Sequence, residues 1–98
     1  MYVVLVEFEI ELGHFNNFKY RVLQQAKDSL DIETDCHVFD VCEDHAMHNQ
    51  IVLYEHYSNK AAFDKHLESS HFKAFETEVA PWILSKSVRI LQTIDQAN

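Results

Sequence analysis

Apolar and polar residues alternate with a period of two at the start of the chain. Tyr2, Val4, Val6, Phe8, Ile10 and Leu12 fall on one side; Val3 and Leu5, then Glu7, Glu9 and Glu11, fall on the other. The pattern predicts a strand over 2–12, buried on both faces at first and solvated on one face later. Gly13 breaks it. Phe15, Phe18, Val22, Ala26 and Leu30 then recur at helical spacing and predict an amphipathic helix from about 15 to 30. A polar link at 31–35 leads to a second predicted strand, Cys36 to Cys42, in which His37, Phe39 and Val41 oppose Val38 and Asp40. The polar run Glu43 to Asn49 reads as an exposed hairpin loop.

A third strand follows, with Ile51, Leu53, Glu55 and Tyr57 opposed to Val52, Tyr54 and His56. It stops at Ser58-Asn59, two polar residues suited to starting a helix. Beyond them Ala62, Phe63, His66 and Leu67 recur at three- and four-residue spacing, which puts His66 on or beside the core-facing stripe. Ser69 or Ser70 can cap a second helical piece carrying Phe72, Phe75 and Val79, and a last strand runs from about Lys86 to Ile94.

The order βαββαβ in one short chain favours an α+β, ferredoxin-like domain spanning 1–98: a four-stranded antiparallel sheet with the helices on one face. The other face, carrying Val3, Leu5, Val38, Val52 and Leu91 or their opposite-parity neighbours, then needs cover. A second copy of the chain provides it, so a homodimer built face to face is expected, with the last strand or the tail from Ser85 to Asn98 reaching toward the partner.

Composition removes several classes of function. A hydrophobic content of 47% excludes disorder, and no apolar run reaches the length of a membrane span. With 8 basic residues and a net charge of −8, no clustered cations point to nucleic acid. No leader-like segment precedes the first strand, which suits a cytoplasmic protein. Cys36 and Cys42 lie on one predicted strand, roughly 20 Å apart at the usual rise, too far for a disulfide, and two thiols suit a reducing compartment. Gly13 is the only glycine, so phosphate-cradling loops are absent and no nucleotide cofactor is expected. Seven histidines are many for this length, but His45-x-x-His48 sits in a loop without a second ligand pair, and no metal is assigned.

The chemistry concentrates between Tyr54 and Phe75. Tyr54, Glu55, Tyr57, His66 and His71 converge on one strand-to-helix corner, with Phe72 beside them. His66 is the first candidate for proton transfer, since an imidazole near a carboxylate and a phenol can exchange a proton near neutral pH. The other reading of His66 is a packed core histidine, of Glu55 a carboxylate satisfied by backbone or a cation, and of His71 a brace for the helix junction. Tyr54 and Tyr57 have opposite parity, so one of them can line a given pocket. His37, Phe39 and Asp40 are candidate lining residues from the second strand. Trp82, after Pro81, reads as an anchor.

The segment YEHYSNKAAFDKHLESSHFKAF resembles the antibiotic biosynthesis monooxygenase (ABM) domain family: a strand ending in aromatic-Glu-x-aromatic, a polar turn, Ala-Ala-Phe, then His66-Leu67-x-Ser69-x-His71-Phe72-Lys73-x-Phe75. The resemblance implies a small dimeric α+β barrel and a cofactor-independent oxidation of an electron-rich aromatic such as a quinol or polyphenol. It implies His66, Tyr54 and Glu55 as catalytic candidates, with Tyr57, His71, Phe72, His37, Phe39 and Asp40 around the substrate. Val4 to Glu7 and Phe39-Asp40-Val41 are also similar to a family branch of isomerases acting on a phosphorylated dione of quorum sensing, for which Lys60, Lys65 or Lys73 would hold the phosphate. A non-catalytic ligand-binding module is the third alternative. Where the family often has glycine before the second strand, this chain has Thr34-Asp35. Haem-degrading relatives of the barrel are disfavoured, because Glu76 stands where their haem-binding histidine belongs and Glu7 and Glu9 where they use asparagine.

Overall fold

The structure, a computed structural model, describes residues 1–94. Seven elements follow in order: β1 (Tyr2–Ile10), α1 (Phe15–Ile32), β2 (Cys36–Glu43), β3 (Gln50–Tyr57), α2 (Lys60–Glu68), α3 (Ser70–Val79) and β4 (Ile83–Gln92). The strands form one antiparallel sheet in the order β2-β3-β1-β4. The crossover through α1 leaves a gap between β1 and β2 that β3 fills, which is the ferredoxin-like arrangement predicted from the element order. No helix among the described residues is long and apolar enough to cross a membrane.

Parity along the strands decides what lies under the helices. Val4, Val6, Phe8 and Ile10 of β1, with Ile51, Leu53 and Tyr57 of β3 and Cys36 and Phe39 of β2, form the core with Phe18, Val22 and Ala26 of α1 and Phe75 and Val79 of α3. The opposite parity, led by Val3, Leu5, Val38, Val52, Tyr54 and His56, faces away from the helices. That is the apolar set expected to need cover. Tyr54 and Leu91 on it remain 39% and 40% exposed. The last strand or the tail from Ser85 to Asn98 was expected to reach toward a partner; residues 95–98 of that tail lie outside the described ones.

Four details depart from the sequence expectations. β1 ends at Ile10, and Leu12 is exposed in a short 3-10 turn over Leu12–His14. A Cβ on Gly13 would meet nothing within 4 Å, and the described residues hold no positive φ, so this turn does not require glycine. On α1 the inner stripe does not continue to Leu30, which is 44% exposed; Gln25 and Ser29 are buried in its place. β4 starts at Ile83, three residues before the expected position.

The helix starts follow the expected capping chemistry. Asn59 Oδ1 accepts from the Ala62 amide at 2.9 Å and opens α2. Ser69 Oγ accepts from the Phe72 amide at 3.3 Å to open α3, and donates to the His66 carbonyl at 2.7 Å. This one residue ends α2 and begins α3, which fixes the corner where His66 and His71 sit. Thr34-Asp35 approaches β2 without a left-handed residue, because the Ser58 amide and hydroxyl both donate to Asp35, each at 3.0 Å.

Candidate active site

His66 projects from α2 into the core, 2% exposed, and is enclosed by rings. Phe72, Tyr57, Phe63 and Phe39 have ring centroids 4.7, 5.3, 6.0 and 6.2 Å from it. An imidazole in such surroundings needs a polar partner, and Glu33 supplies it from the C-cap of α1. His66 Nδ1 lies 2.8 Å from Glu33 Oε2. Since a carboxylate only accepts, Nδ1 carries the hydrogen, and Nε2 is left as the basic nitrogen. Nε2 has no hydrogen-bond partner among the described residues, and His66 lines a cavity of about 70 Å³ between the sheet and α2–α3.

The cavity walls are mostly apolar: Val6, Phe8, Leu53, Phe63, Phe72, Phe75 and Val79 contribute to them. Glu55 enters from β3. Its Oε1 accepts from the Tyr57 hydroxyl at 2.6 Å, both residues being buried. Burial pushes the Glu55 carboxyl up to about 7, against the pull of the Tyr57 hydroxyl and of His66. The Tyr57 phenol is itself pushed far up by burial and by the carboxylate beside it, so it stays a donor. Burial, with Glu33 and Glu55 nearby, pushes the Cys36 thiol up to about 12, which makes it an inert packing group. The cavity thus offers a base on one wall and, near neutral pH, a carboxyl that either gives or takes a proton on another.

A second layer stands behind Glu33. His71 Nε2 lies 3.0 Å from the same Oε2 that holds His66, an ion-pair distance but off the line of a hydrogen bond. His71 Nδ1 faces Gln25 Nε2 at 3.0 Å, and that amide reaches Ser29 Oγ at 3.3 Å. Gln25, Ser29 and Glu33 follow one another at four-residue intervals along one side of α1, which aims all three at the α2–α3 corner.

The structure therefore brings His66, Glu55 and Phe72 together at the cavity, with Tyr57 packed against Glu55 and His66, and His71 and Phe39 behind them. It does not bring in the others. Tyr54 lies on the far face of the sheet, its ring 4.8 Å from that of His56 and edge-on to it. The period of two that puts Tyr57 under the helices puts Tyr54 outside, so its assignment to proton transfer is corrected. Asp40 pairs with Tyr54 in the register, on that same outer face, and is exposed. His37 is also exposed, in the irregular stretch of the β2–β3 register between Cys36 and Val38, with Nε2 2.6 Å from Ser58 Oγ. Lys60, Lys65 and Lys73 are exposed and none lines the cavity, whereas Lys86 of β4 does, its Nζ 5.7 Å from the centre of the Phe8 ring. Trp82 anchors as expected, stacked on His14 at 5.6 Å. Glu33, Gln25 and Lys86 were missed by sequence reasoning.

The family follows from comparison. The sequence profile described as antibiotic biosynthesis monooxygenase matches residues 1–78, most of the chain and all of the corner just described. The chain belongs to the ABM family. ABM-type proteins of known structure superpose on nearly its full length. A candidate antibiotic biosynthesis monooxygenase from Nitrosomonas europaea is 23% identical, with a TM-score of 0.91 over 97% of this chain and 100% of the other. One from Caulobacter crescentus gives 17% identity and a TM-score of 0.92 over 96% and 90%. One from Deinococcus radiodurans gives 15% and 0.90 over 100% and 97%. At these identities the likeness carries the ABM fold alone. No functionally curated protein matches the chain.

Proposed function

We propose that this ABM domain is a cofactor-independent monooxygenase of small electron-rich phenols, such as quinols, and that His66 is its base. The observation that carries the reading is the Glu33–His66 pair, which presents an unprotonated Nε2 to a mostly apolar cavity. The phenol O–H bond breaks as an Nε2–H bond forms, and Glu33 stabilises the resulting imidazolium. In a dry cavity the phenolate cannot be quenched by water and is electron-rich enough to reduce dioxygen. One oxygen atom ends on the ring carbon that loses its hydrogen, and the other leaves as water. The substrate supplies both electrons, so phenol plus dioxygen gives quinone plus water. Glu55, protonated over part of the neutral range, is placed to return a proton to the departing oxygen.

The alternative of isomerising a phosphorylated dione draws little support, because the three lysines expected to hold its phosphate are exposed and lie off the cavity. Oxygen uptake on a panel of hydroquinones and monocyclic phenols tests the proposal. Uptake by the parent protein, lost in His66→Ala and incorporating labelled dioxygen into product, is the expected result. Uptake no faster than buffer across the panel overturns it, and saturable binding without turnover would identify a ligand-binding module.

The domain is further proposed to act as a homodimer through the uncovered face of the sheet, as the half-exposed Tyr54 and Leu91 suggest.

A further inference from the structure

Glu33 has one carboxylate for two histidines. Its Oε2 stands 2.8 Å from His66 Nδ1 and 3.0 Å from His71 Nε2, and the two rings are 6.1 Å apart. One negative charge neutralises one imidazolium, and a second positive charge this close, in a site this buried, would be repelled by the first. Something must decide which histidine charges.

We propose that Gln25 decides it, by holding His71 neutral so that the proton taken up on this cluster goes to His66. Gln25 Nε2 faces His71 Nδ1 at 3.0 Å, and an amide nitrogen is only a donor. His71 Nδ1 therefore accepts and its hydrogen sits on Nε2, toward Glu33. A second proton on Nδ1 would set donor against donor. His66 meets no such block, because its Nε2 is open to the cavity. The amide cannot turn away freely, being 1% exposed and held by Ser29, which is 0% exposed. Glu76 of α3 and Lys86 of β4 line the cavity together with His66, and the other titratable groups near the two rings are Glu55 and Tyr57 of β3 and Cys36 of β2. Burial raises all three, so below neutral pH they add little negative charge to compete with Glu33.

Gln25 is on this account a positioning residue that acts through His71 and Glu33. The proposal rests on the base role of His66 in its kinetic arm only. Histidine-labelled protein is titrated from pH 5 to 8 and the ring nitrogens are followed by long-range proton–nitrogen NMR, which separates the two neutral tautomers from imidazolium. In the parent, His66 is expected to become imidazolium while His71 stays neutral with its hydrogen on Nε2. In Gln25→Glu a carboxylate accepts from His71 Nδ1–H, so the order should invert. Gln25→Met, which removes the donor without adding charge, should let both rings share the proton, and it serves if Gln25→Glu does not fold. On any phenol the parent oxidises, the acid limb of kcat/KM, which follows His66, should move about one unit to lower pH in Gln25→Glu, so that kcat/KM on that limb rises about tenfold over the parent. His71 charging before His66 in the parent, or an order unchanged in both variants, overturns the proposal. Failure to oxidise any phenol would defeat the oxygenase reading and leave the NMR result to decide this one.

Discussion

The two faces of the sheet are made from alternate residues of the same strands, and their polar groups fare differently. On the helix side Glu55 receives the Tyr57 hydroxyl, and His66 beneath α2 receives Glu33. On the far side His56 buries Nε2 without a partner among the described residues, and Tyr54 stands edge-on to it, 39% exposed. The helix side can hold buried polar chemistry because α1 delivers partners from another layer. The far side has no second layer within the chain. What is missing there is a surface, and what is present on the helix side is a site.

The largest effect is expected from charging the far side. Each roughly 100 Å² of apolar area that a partner covers is worth about 2.5 kcal/mol before the cost of association. Leu5→Glu or Val52→Glu should therefore convert a dimer of the 11.5 kDa chain to monomer in sedimentation. Both variants should also lose the rise of melting temperature with protein concentration that the parent is expected to show. A parent that sediments as monomer at micromolar concentration, with a concentration-independent melt, would refute the dimer.

Truncation on the helix side should cost less than losing a whole interface but more than any surface change. Ile51 is 0% exposed in the core, and Ile51→Ala is expected to destabilise by about 2–5 kcal/mol in urea unfolding, through lost transfer energy and the cavity left behind. A cost under about 1 kcal/mol would mean that this layer is loosely packed.

How far the sequence reveals these two faces depends on the range of the interactions. Alternation in β1 and β3 identifies the buried parity, and Asn59 and Ser69 cap where local hydrogen-bonding chemistry places them. His66 was legible because helical spacing is local. Glu33 was not: it ends α1 inside what reads as a polar link, and its partner is 33 residues away in α2. The one available signal was the run Gln25, Ser29, Glu33, polar residues at four-residue steps beside the stripe of Phe18, Val22 and Ala26. Polar residues so close to a core stripe suggest partners across the layer, but periodicity does not name them. Tyr54 and Tyr57 could be told apart only once the helix-covered parity was known.

Acidity gives a third, smaller test. Burial holds the folded Glu55 carboxyl at about 7 against 4.5 when exposed. The raised value means that folding favours the protonated form. This contribution is complete below pH 4.5, declines as pH rises through 7, and stays lost above it. Glu55→Gln keeps the shape and cannot ionise. It should match the parent at pH 4 and exceed it at pH 8 by at most about 3 kcal/mol in urea unfolding. Equal stability at both values would show that the Glu55 carboxyl keeps its ordinary value in the folded protein, with burial offset by partners besides Tyr57.

The smallest effect separates the two tyrosines. Tyr57→Phe removes the hydroxyl that donates to Glu55 Oε1 at 2.6 Å, so it should cost about 1 kcal/mol. That hydroxyl opposes the effect of burial, so without it the Glu55 carboxyl should rise further, and any step that needs Glu55 ionised should shift to higher pH. Tyr54→Phe leaves its ring against His56 and removes a hydroxyl with no hydrogen-bond partner among the described residues. It should change stability by less than about 0.5 kcal/mol and leave turnover on any accepted phenol where it was. If Tyr54→Phe abolished turnover while Tyr57→Phe did not, the chemistry would belong to the far face of the sheet, and the surface assigned to a partner would instead be the site.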